Sequence, residues 1–249
     1  MNKYGLIGHK LSHSYSPLIH QYLFEKNNIS ATYSLIEVGK NELINCINDL
    51  KNNVYAGYNV TIPYKEKIIP YCDILTNAAK EIGAVNTVYI SNGMVVGDNT
   101  DHSGFAKQLE FYNIEVNKKD VYILGNGGAA KAIKYALENK GANVYVVSRS
   151  GNYLTYDDLK NINKYDILIN TTPLGMYPNV DSCVLDEAYI KRASICIDLI
   201  YNPRMTRFLS FANEGYHSLL MLIFQAICAE EIWHQKKFEY DLEELEKII

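Results

Sequence analysis

The amino-acid sequence predicts an α/β protein with two domains. Short apolar runs alternate along the chain with segments of helical periodicity, which is the pattern that α/β folds produce. The 249 residues suffice for two domains that each bury a core. Because the pattern changes near residue 103, we expect one α/β domain over residues 1–102 and a second, with a parallel sheet, over residues 103–218.

The first domain is expected to contain short strands that alternate with helices. Residues 4–8 form an apolar run typical of a buried strand. Ser16-Pro17 is typical of a helix start, because serine can cap a helix and proline suits its first turn. Asn92-Gly93 predicts a tight hairpin turn. The remaining expected elements are a strand over residues 55–60, hairpin strands over residues 87–90 and 94–97, and a helix after Asp101.

The second domain begins with a predicted strand–helix–strand unit. Residues 121–124 and 144–147 are near-continuous apolar runs, as expected for strands that are buried on both faces of a parallel sheet. A glycine-rich turn and a predicted helix over residues 129–139 lie between them. Further strands are expected over residues 167–169 and 195–197, and residues 219–236 are expected to be helical.

Composition and charge exclude several classes of protein. The formal net charge is −4 without a block of lysine and arginine, so neither nucleic acid nor an anionic membrane is expected as a partner. No apolar run approaches the roughly 20 residues of a membrane helix, and residues 1–8 lack the pattern of a signal peptide. The five cysteines are widely spaced without a CxxC pair, which favours reduced thiols in the cytoplasm and gives no indication of a metal site.

The glycine-rich turn has the pattern of a dinucleotide-binding site. Gly125-Asn126-Gly127-Gly128-Ala129-Ala130 fits G-x-G-x-x-A and lies between a predicted strand and a predicted helix. Glycine lets the backbone approach a pyrophosphate closely, and the N-terminus of the following helix offers free N–H groups to the phosphates. A purely structural turn is the alternative, but the position between strand and helix favours a dinucleotide.

The end of the second strand of this unit indicates which dinucleotide binds. An acidic residue there would bind the ribose 2′-hydroxyl of NAD, but this chain has Ser148-Arg149-Ser150. Because a guanidinium group suits bidentate phosphate contact, we expect NADP(H), with Arg149 at the 2′-phosphate. The alternative is that Arg149 is an ordinary solvated surface residue.

Four polar clusters lie at predicted strand ends or in loops. Taken singly, each is more often a turn than a binding site. Together they supply one lysine, two aspartates, several amides and several hydroxyls, a set that suits a small polyhydroxy acid and a proton transfer. The clusters are residues 12–17, 59–65, 83–87 and 97–101.

These clusters resemble, in order and spacing, the signature motifs of the shikimate dehydrogenase family. Two later segments resemble further motifs of that family, so the resemblance covers nearly the whole chain. The matching motifs are Ser14-x-Ser16-Pro17, Asn59-Val60-Thr61-x-Pro63-x-Lys65, Gly83-Ala84-Val85-Asn86-Thr87, Asn99-Thr100-Asp101, Asp198-Leu199-Ile200-Tyr201-Asn202-Pro203 with Thr206, and Met221-Leu222-Ile223-x-Gln225-Ala226.

The resemblance implies an activity and a domain plan. The implied reaction is the reversible, NADPH-dependent reduction of 3-dehydroshikimate to shikimate, on the route to aromatic amino acids. Residues 1–102 would form a substrate-binding and catalytic domain on which residues 219–249 pack back. Residues 103–218 would form a Rossmann-like NADP-binding domain.

The resemblance also implies a role for each site residue. Lys65 would protonate the carbonyl oxygen, and Asp101 would orient Lys65. The substrate carboxylate would bind Ser14, Ser16 and Tyr201. The ring hydroxyls would bind Thr61, Asn86, Asp101 and Gln225. The cofactor would contact Gly125, Asn126, Gly127, Gly128, Ala129, Ser148, Arg149, Ser150, Thr171 and Met221, with Met221 near the nicotinamide.

Some positions depart from the family pattern, and alternatives stay open. No second basic residue follows Arg149, the stretch after Ser150 is short, and His102 and Ser218 stand where glycine is common. A quinate/shikimate dehydrogenase of dual specificity would share the fold and the catalytic pair. A non-catalytic ligand-binding module is disfavoured because both Lys65 and Asp101 are present, and a folate-linked dehydrogenase is disfavoured by the serine cluster. We expect a monomer or a homodimer.

Overall fold

The computed structural model describes residues 1–11, 14–39 and 41–249, and the chain divides into two compact units. The first unit comprises residues 1–104 and 222–249, and the second comprises residues 105–221. Each unit has its own β-sheet flanked by helices. Both changes of unit occur within helices, Asp101–Phe111 and Leu219–His234.

The first unit contains a six-stranded mixed sheet in the order β2-β1-β3-β5-β6-β4. Its strands are β1 (Asn2–Gly8), β2 (Ala31–Glu37), β3 (Gly57–Val60), β4 (Ile74–Leu75), β5 (Thr87–Ser91) and β6 (Met94–Asp98). Its helical segments are α1 (Ser16–Lys26), α2 (Leu43–Lys51), α3 (Asn77–Ile82), the start of α4 (Asp101–Phe111), most of α8 (Leu219–His234), α9 (Leu242–Ile248) and the short 3-10 helix Ile69–Tyr71.

The central strands of this sheet bring several loops to one edge. β1 pairs in parallel with both β2 and β3, so the carboxyl ends of these three strands lie at the same edge. β5 and β6 form the expected antiparallel hairpin. Asn92 and Gly93 at its tip have φ angles of 50° and 76°, the left-handed values that a two-residue type I′ turn requires. The hairpin prediction is therefore confirmed.

Helix α1 starts where the sequence predicted, but the capping prediction for Ser16 is wrong. Tyr15 occupies the N-cap position without a capping side chain, and Ser16 is the first helical residue, followed by Pro17. The hydroxyl oxygen of Ser14 instead accepts a hydrogen bond from the Ser16 backbone N–H at 3.2 Å. This local turn around Ser14 leaves the Ser16 hydroxyl without a capping role.

The second unit contains a five-stranded, fully parallel sheet in the order β11-β10-β9-β7-β8. The predicted strand–helix–strand unit and the two further predicted strands are confirmed. The strands are β7 (Asp120–Leu124), β8 (Asn143–Val147), β9 (Tyr165–Asn170), β10 (Ala193–Asp198) and β11 (Gly215–His217). The helical segments are α5 (Gly128–Asn139), the 3-10 helix Asp158–Asn161, α6 (Glu187–Ile190), α7 (Arg207–Ser210) and the adjoining parts of α4 and α8.

The strand order of the second sheet creates a topological switch point. From β7 the chain moves to β8 on one side, then crosses to β9 on the other side of β7. Ligands of open parallel sheets bind beyond the carboxyl ends of the strands at such a point. Here that place lies beyond Leu124 and Asn170, where the glycine turn and Thr171 begin.

Each unit has a buried apolar core, which holds these strand ends in place. In the first unit the core includes Ile7, Leu50, Tyr58 and Val88. In the second, the apolar faces of β7 and β9 pack against α5, and Val121, Ile123, Ile133, Ile167 and Ile169 are at most 1% exposed.

Among the described residues, we find no helix with both the length and the apolar character needed to cross a membrane.

Candidate active site

The first unit contains a shielded lysine–aspartate pair. Asp101 is the first residue of α4, shortly after β6 ends at Asp98, and Lys65 lies in the loop after β3. The Lys65 Nζ donates to the Asp101 Oδ2 at 2.5 Å. Their side chains are only 13% and 7% exposed, so water screens the attraction between the charges less than at a surface. The Lys65 amine is thereby fixed beside the Asp101 carboxyl group.

Asn86 connects the aspartate to its surroundings. Its side-chain amide Nδ2 donates to the Asp101 Oδ1 at 2.9 Å, to the Thr100 Oγ1 at 3.0 Å and to the Gln225 Oε1 at 3.3 Å. Its Oδ1 accepts from the Thr100 backbone N–H at 2.6 Å and from the Thr87 hydroxyl at 2.9 Å. Asn86 is 2% exposed, so this network fixes the amide in one orientation.

Hydrogen bonds to backbone groups fix the segments that carry Asp101 and Lys65. The Asn99 Oδ1 accepts from the Asp101 backbone N–H at 3.0 Å, which holds the start of α4. The Lys65 carbonyl accepts from the Val85 N–H at 2.8 Å, and the Thr61 N–H donates to the Ile7 carbonyl at 2.9 Å. The loop after β3 is thus tied to the end of β1 and to the segment before β5. A rigid frame of this kind suits a site that must position a proton donor.

The glycine turn of the second unit has open space where a phosphate would lie. Gly125 has φ of 111°, and a Cβ there would approach the Thr171 Oγ1 to 2.7 Å, so a side chain is excluded. Gly127 precedes α5, and a Cβ at this position would meet no described atom within 4 Å. The first N–H groups of α5 have no partner within the helix and carry its positive dipole end. The turn therefore fits a dinucleotide pyrophosphate.

The loop after β8 lies next to this turn. The Asn126 Nδ2 donates to the Ser150 carbonyl at 3.4 Å, and the Ser150 N–H donates to the Ser148 Oγ at 3.3 Å. Ser148 is buried, whereas Arg149 and Ser150 are exposed. Burial raises the pKa of Tyr156, and the nearby Arg149 charge offsets part of this rise, which indicates that the guanidinium lies near that ring. The residue predicted to bind the 2′-phosphate is therefore an exposed cation near the Tyr156 ring.

Comparison with known proteins gives the family. A model of the shikimate dehydrogenase substrate-binding domain matches residues 6–88. A protein of Clostridium beijerinckii named shikimate dehydrogenase (NADP(+)) is 44% identical over 258 residues, which cover 97% of this chain and 95% of that protein. The chain belongs to the shikimate dehydrogenase family. This finding confirms the family resemblance of the sequence motifs.

Solved structures of shikimate dehydrogenases have the same fold. Shikimate dehydrogenase 1 from Peptoclostridium difficile is 40% identical and superposes with a TM-score of 0.91, covering 100% of this chain and 96% of that one. The shikimate 5-dehydrogenase of Thermus thermophilus, solved in complex with NADP(H) and shikimate, is 26% identical with a TM-score of 0.86 and covers 96% and 95% of the two chains. The predicted α/β fold class is therefore confirmed.

The residues predicted for a shikimate dehydrogenase site fall into three groups. The first unit brings together Lys65, Asp101, Asn86 and Gln225 in one hydrogen-bonded cluster. Ser14 and Ser16 lie at the start of α1, where the Ser14 hydroxyl donates to the Ser16 Oγ at 3.2 Å, and Thr61 is half-buried after β3. The second unit holds Tyr201, Gly125, Asn126, Gly127, Gly128, Ala129, Ser148, Arg149, Ser150, Thr171 and Met221. Residues 12 and 13, which begin the first polar cluster, lie outside the described residues.

Thr171 and Met221, two further predicted cofactor residues, also have structural contacts in the second unit. The Thr171 hydroxyl donates to the Leu124 carbonyl at 2.7 Å, which holds the ends of β7 and β9 together beside Gly125. Met221 is 7% exposed in an apolar cluster with Phe105, and its backbone N–H donates to the Gln108 Oε1 at 2.9 Å. These contacts show what fixes each residue, and their roles toward NADP stay predictions.

Several side chains in the first-unit cluster were not predicted as site residues. Asn59, Thr87 and Thr100 belong to the motifs that suggested the family, but no role was predicted for them. The structure places all three in hydrogen bonds around Asn86. The available signal was that these three residues lie inside the motifs. A motif residue that does not bind the ligand usually holds in place a residue that does.

Among the described residues, no group of three or more His, Cys, Asp or Glu side chains could hold a metal ion.

His102, which replaces a common glycine of the family, is half-buried and lines a cavity of about 290 Å³ together with Asp98, Cys228 and Glu231. Burial lowers the pKa of His102, and the neighbouring Asp98 and Asp101 charges oppose this change. The cavity gives the imidazole room at the start of α4, so the departure from glycine is accommodated locally.

Asp198 at the end of β10 is buried without a cationic partner among the described residues. Its carboxyl group accepts hydrogen bonds from the Asn170 amide at 3.0 Å, the Ile200 N–H at 3.0 Å and the Thr206 hydroxyl at 2.6 Å. Burial nevertheless raises the pKa of Asp198 to about 6, because the three hydrogen bonds only partly offset the loss of hydration. The loop that carries Tyr201 begins at this group.

The raised pKa of Asp198 predicts that stability falls as pH rises. Between about pH 4 and pH 6 the folded state keeps a proton that the unfolded state has lost, so the free energy of unfolding decreases over this window, by about 3 kcal/mol at most, and stays lower above it. Urea unfolding at several pH values should show this decrease in the wild type and in the exposed control Asp181→Asn. Asp198→Asn should lack it. Parallel pH profiles for wild type and Asp198→Asn would contradict the assignment.

Proposed function

We propose that this chain catalyses the reversible, NADPH-dependent reduction of 3-dehydroshikimate to shikimate. The observation that carries the proposal is the shielded Lys65–Asp101 pair, held by Asn86 and Gln225 in one hydrogen-bonded cluster. The shikimate dehydrogenase (NADP(+)) of Clostridium beijerinckii supports it through 44% identity over nearly the whole chain. The reaction belongs to the shikimate pathway of aromatic amino-acid biosynthesis, a role that follows from membership of the family.

The proton step falls to the lysine. Bound NADPH supplies a hydride to the ketone carbon. As negative charge develops on the carbonyl oxygen, Lys65 donates a proton from Nζ to that oxygen, and the resulting neutral amine regains a proton from water. Asp101 keeps the amine oriented through their hydrogen bond. In the oxidation direction the same amine, once neutral, accepts the hydroxyl proton. Because the pair is shielded, its charges act on the reacting oxygen with little screening.

The other polar groups suit the substrate's functional groups. Ser14 and Ser16 offer two hydroxyl donors at the start of α1 for the carboxylate, and Tyr201 adds a third, phenolic donor. Thr61, Asn86, Asp101 and Gln225 combine donors and acceptors, as neutral ring hydroxyls require. In this proposal the Asn86 and Gln225 amides exchange some of their mutual hydrogen bonding for bonds to the ring.

Arg149 should set the preference for NADP over NAD. No acidic residue occupies the end of β8 to repel a 2′-phosphate, and the exposed guanidinium can form charged hydrogen bonds with it. Such bonds of about 1.5–3 kcal/mol correspond to a preference of roughly 10- to 150-fold in kcat/KM. Arg149→Ala should remove most of this preference by raising the KM for NADP while kcat/KM with NAD stays nearly constant.

The test compares kcat/KM for both cofactors in the wild type, Arg149→Ala and the control Arg207→Ala. Arg207 is an exposed arginine of the same unit at the start of α7, outside the glycine turn. Its replacement should leave the preference unchanged. A wild type that favours NAD, or an Arg149→Ala variant that discriminates as well as the wild type, would show that Arg149 is an ordinary surface residue.

The proposed activity is tested by the oxidation of shikimate with NADP, followed through the near-ultraviolet absorbance of the NADPH formed. Quinate is offered in parallel, because equal turnover of quinate would establish the dual-specificity alternative. Methylenetetrahydrofolate is offered as a third substrate. Turnover of shikimate above both others supports the proposal, and turnover of the folate alone refutes it.

We further propose that the protein acts in the cytoplasm as a monomer or a homodimer. The five cysteines are widely spaced and form no CxxC pair, which supports a reducing compartment. The net charge of −4 supports a small-molecule partner instead of a nucleic acid. Sedimentation at several protein concentrations would distinguish the two oligomeric states.

A further inference from the structure

Tyr33 on β2 is a buried tyrosine in the first unit whose hydroxyl points to the network around Asn86. Its hydroxyl donates to the Asn59 Oδ1 at 2.8 Å. Its ring stacks on the imidazole of His20 with 3.8 Å between ring centres and 7° between ring planes. Burial holds the pKa of Tyr33 well above its ordinary value, and the nearby Glu230 charge adds to this rise, so the phenol keeps its proton and remains a donor.

A series of side-chain hydrogen bonds connects Asn59 to Asp101. The Asn59 Nδ2 donates to the Thr87 Oγ1 at 3.3 Å, and the Thr87 hydroxyl donates to the Asn86 Oδ1 at 2.9 Å. The Asn86 Nδ2 then donates to the Asp101 Oδ1 at 2.9 Å. The other oxygen of Asp101 accepts from Lys65. Asn59, Thr87 and Asn86 are each at most 4% exposed, so water does not compete for these bonds.

The direction of this series is dictated by its carboxylate end. An ionised carboxylate only accepts, so Asn86 must turn its Nδ2 toward Asp101 and its Oδ1 toward Thr87. Thr87 must therefore donate to Asn86, which leaves its oxygen to accept from Asn59. The amide of Asn59 must then present its Oδ1 to Tyr33, which has to donate. Each bond thus polarises the next one toward Asp101.

The Tyr33 ring is held in place by the His20 imidazole on which it stacks. The His20 Nδ1 lies 2.5 Å from the Glu230 Oε1, and both side chains are fully buried. The contact with Glu230 holds the imidazole in place, and the imidazole in turn supports the stacked Tyr33 ring. A short side chain at this place could not deliver a donor to Asn59.

We propose that Tyr33 is a positioning residue for the catalytic pair: its hydroxyl orients the Asn59 amide and, through Thr87 and Asn86, holds the Asp101 carboxylate at Lys65. The inference rests on the proposed function, since it assigns Tyr33 to the proton step of that reaction. Tyr33 does not touch the reacting atoms in this account. Its loss should therefore loosen the pair without removing a substrate or cofactor contact.

The test is Tyr33→Phe, which keeps the stacked ring and removes the hydroxyl. We expect kcat for shikimate oxidation to fall by about 3- to 10-fold, the range that one hydrogen bond of ordinary strength supports. The KM for NADP should not change. Thr87→Val, which removes the hydroxyl in the middle of the series, should lower kcat at least as much. In the double variant the Tyr33 substitution should add little, because the series is already interrupted.

Tyr165→Phe is the matched control. Tyr165 is a buried tyrosine of the second unit whose hydroxyl donates to the Leu159 carbonyl at 3.4 Å. Its loss should lower thermal stability but leave kcat unchanged. If Tyr33→Phe behaves in the same way, or if the Tyr33 and Thr87 effects on kcat are fully additive, Tyr33 is a structural residue and the proposal is overturned.

A second measurement follows the hydrogen-bond series from Tyr33 to Asp101 without any turnover. Failure of the positioning role can therefore be distinguished from failure of the proposed function. In ¹H–¹⁵N spectra, the side-chain NH₂ protons of Asn86 should exchange slowly with solvent in the wild type. Exchange should accelerate in Tyr33→Phe and not in Tyr165→Phe. A wild type inactive with shikimate would refute the proposed function, while equal Asn86 exchange in wild type and Tyr33→Phe would refute the positioning role.

Discussion

Replacing Lys65 with alanine should lower kcat for shikimate oxidation by about 10²- to 10⁴-fold, the span usual for a positioned general acid–base. The amine lies 2.5 Å from the Asp101 carboxyl group, which is itself fixed by Asn86. The KM for shikimate should change much less, because several other groups are proposed to bind the ring and the carboxylate. The measurement is steady-state kinetics of the purified variant with shikimate and NADP.

Lys67→Ala is the matched control for this experiment. Lys67 lies two residues further along the same loop, is exposed, and places its Nζ over the Tyr64 ring at 5.7 Å. Its removal deletes an equal charge without touching the pair and should leave kcat unchanged. A folded Lys65→Ala protein that retains kcat within a few-fold of the wild type would end the assignment of the proton step to Lys65.

Replacing Glu230 with alanine should cost about 2–5 kcal/mol in the free energy of unfolding of the first unit, because it removes a buried hydrogen-bond partner and leaves a cavity. Glu230 on α8 is fully buried. Its carboxyl oxygens lie 2.5 Å from the His20 Nδ1 and 3.2 Å from the His234 Nε2. Without the Glu230 side chain, the fully buried His20 imidazole loses its hydrogen-bond partner, and a cavity remains between α1 and α8.

Urea unfolding followed by tryptophan fluorescence reports on this region. Trp233 is the only tryptophan of the chain and stacks on Tyr4 with 4.7 Å between ring centres, in the same cluster as His20. The control is Glu231→Ala at the next residue, where the carboxylate pairs with the exposed amine of Lys237 at 3.0 Å. That pair should contribute less than about 1 kcal/mol. Equal decreases in the free energy of unfolding of Glu230→Ala and Glu231→Ala would contradict a special role for the buried Glu230 carboxyl group.

Local patterns in the sequence predicted much of the second unit. The apolar runs that became β7 and β8, the glycine turn and α5 follow one another within 28 residues, so periodicity and turn chemistry suffice to recognise them. The Asn92-Gly93 hairpin is local in the same sense. Prediction succeeded at these places because the residues that determine the structure are neighbours in the chain.

Contacts between distant segments could not be predicted. β2 was not recognised, although the alternation of apolar and polar residues over its first five positions is the pattern of a half-buried strand. Tyr33 therefore had no assigned neighbour. His20 and Glu230 are 210 residues apart, and only folding brings them together. The capping error at Ser16 has a local cause, since Ser14 two residues earlier takes the turn-forming role. The roles assigned to Tyr201, Met221 and Arg149 depend on ligands and stay predictions.

The most direct test of the central claim follows the hydride itself. The wild-type protein is incubated with 3-dehydroshikimate and NADPH that carries two deuterium atoms at the nicotinamide carbon that gives up the hydride, and the product is analysed by mass spectrometry. Our account predicts shikimate with one added deuterium on the carbon of the former ketone, formed far more slowly by Lys65→Ala. Shikimate without deuterium, or no conversion of 3-dehydroshikimate by the folded wild type, would contradict it.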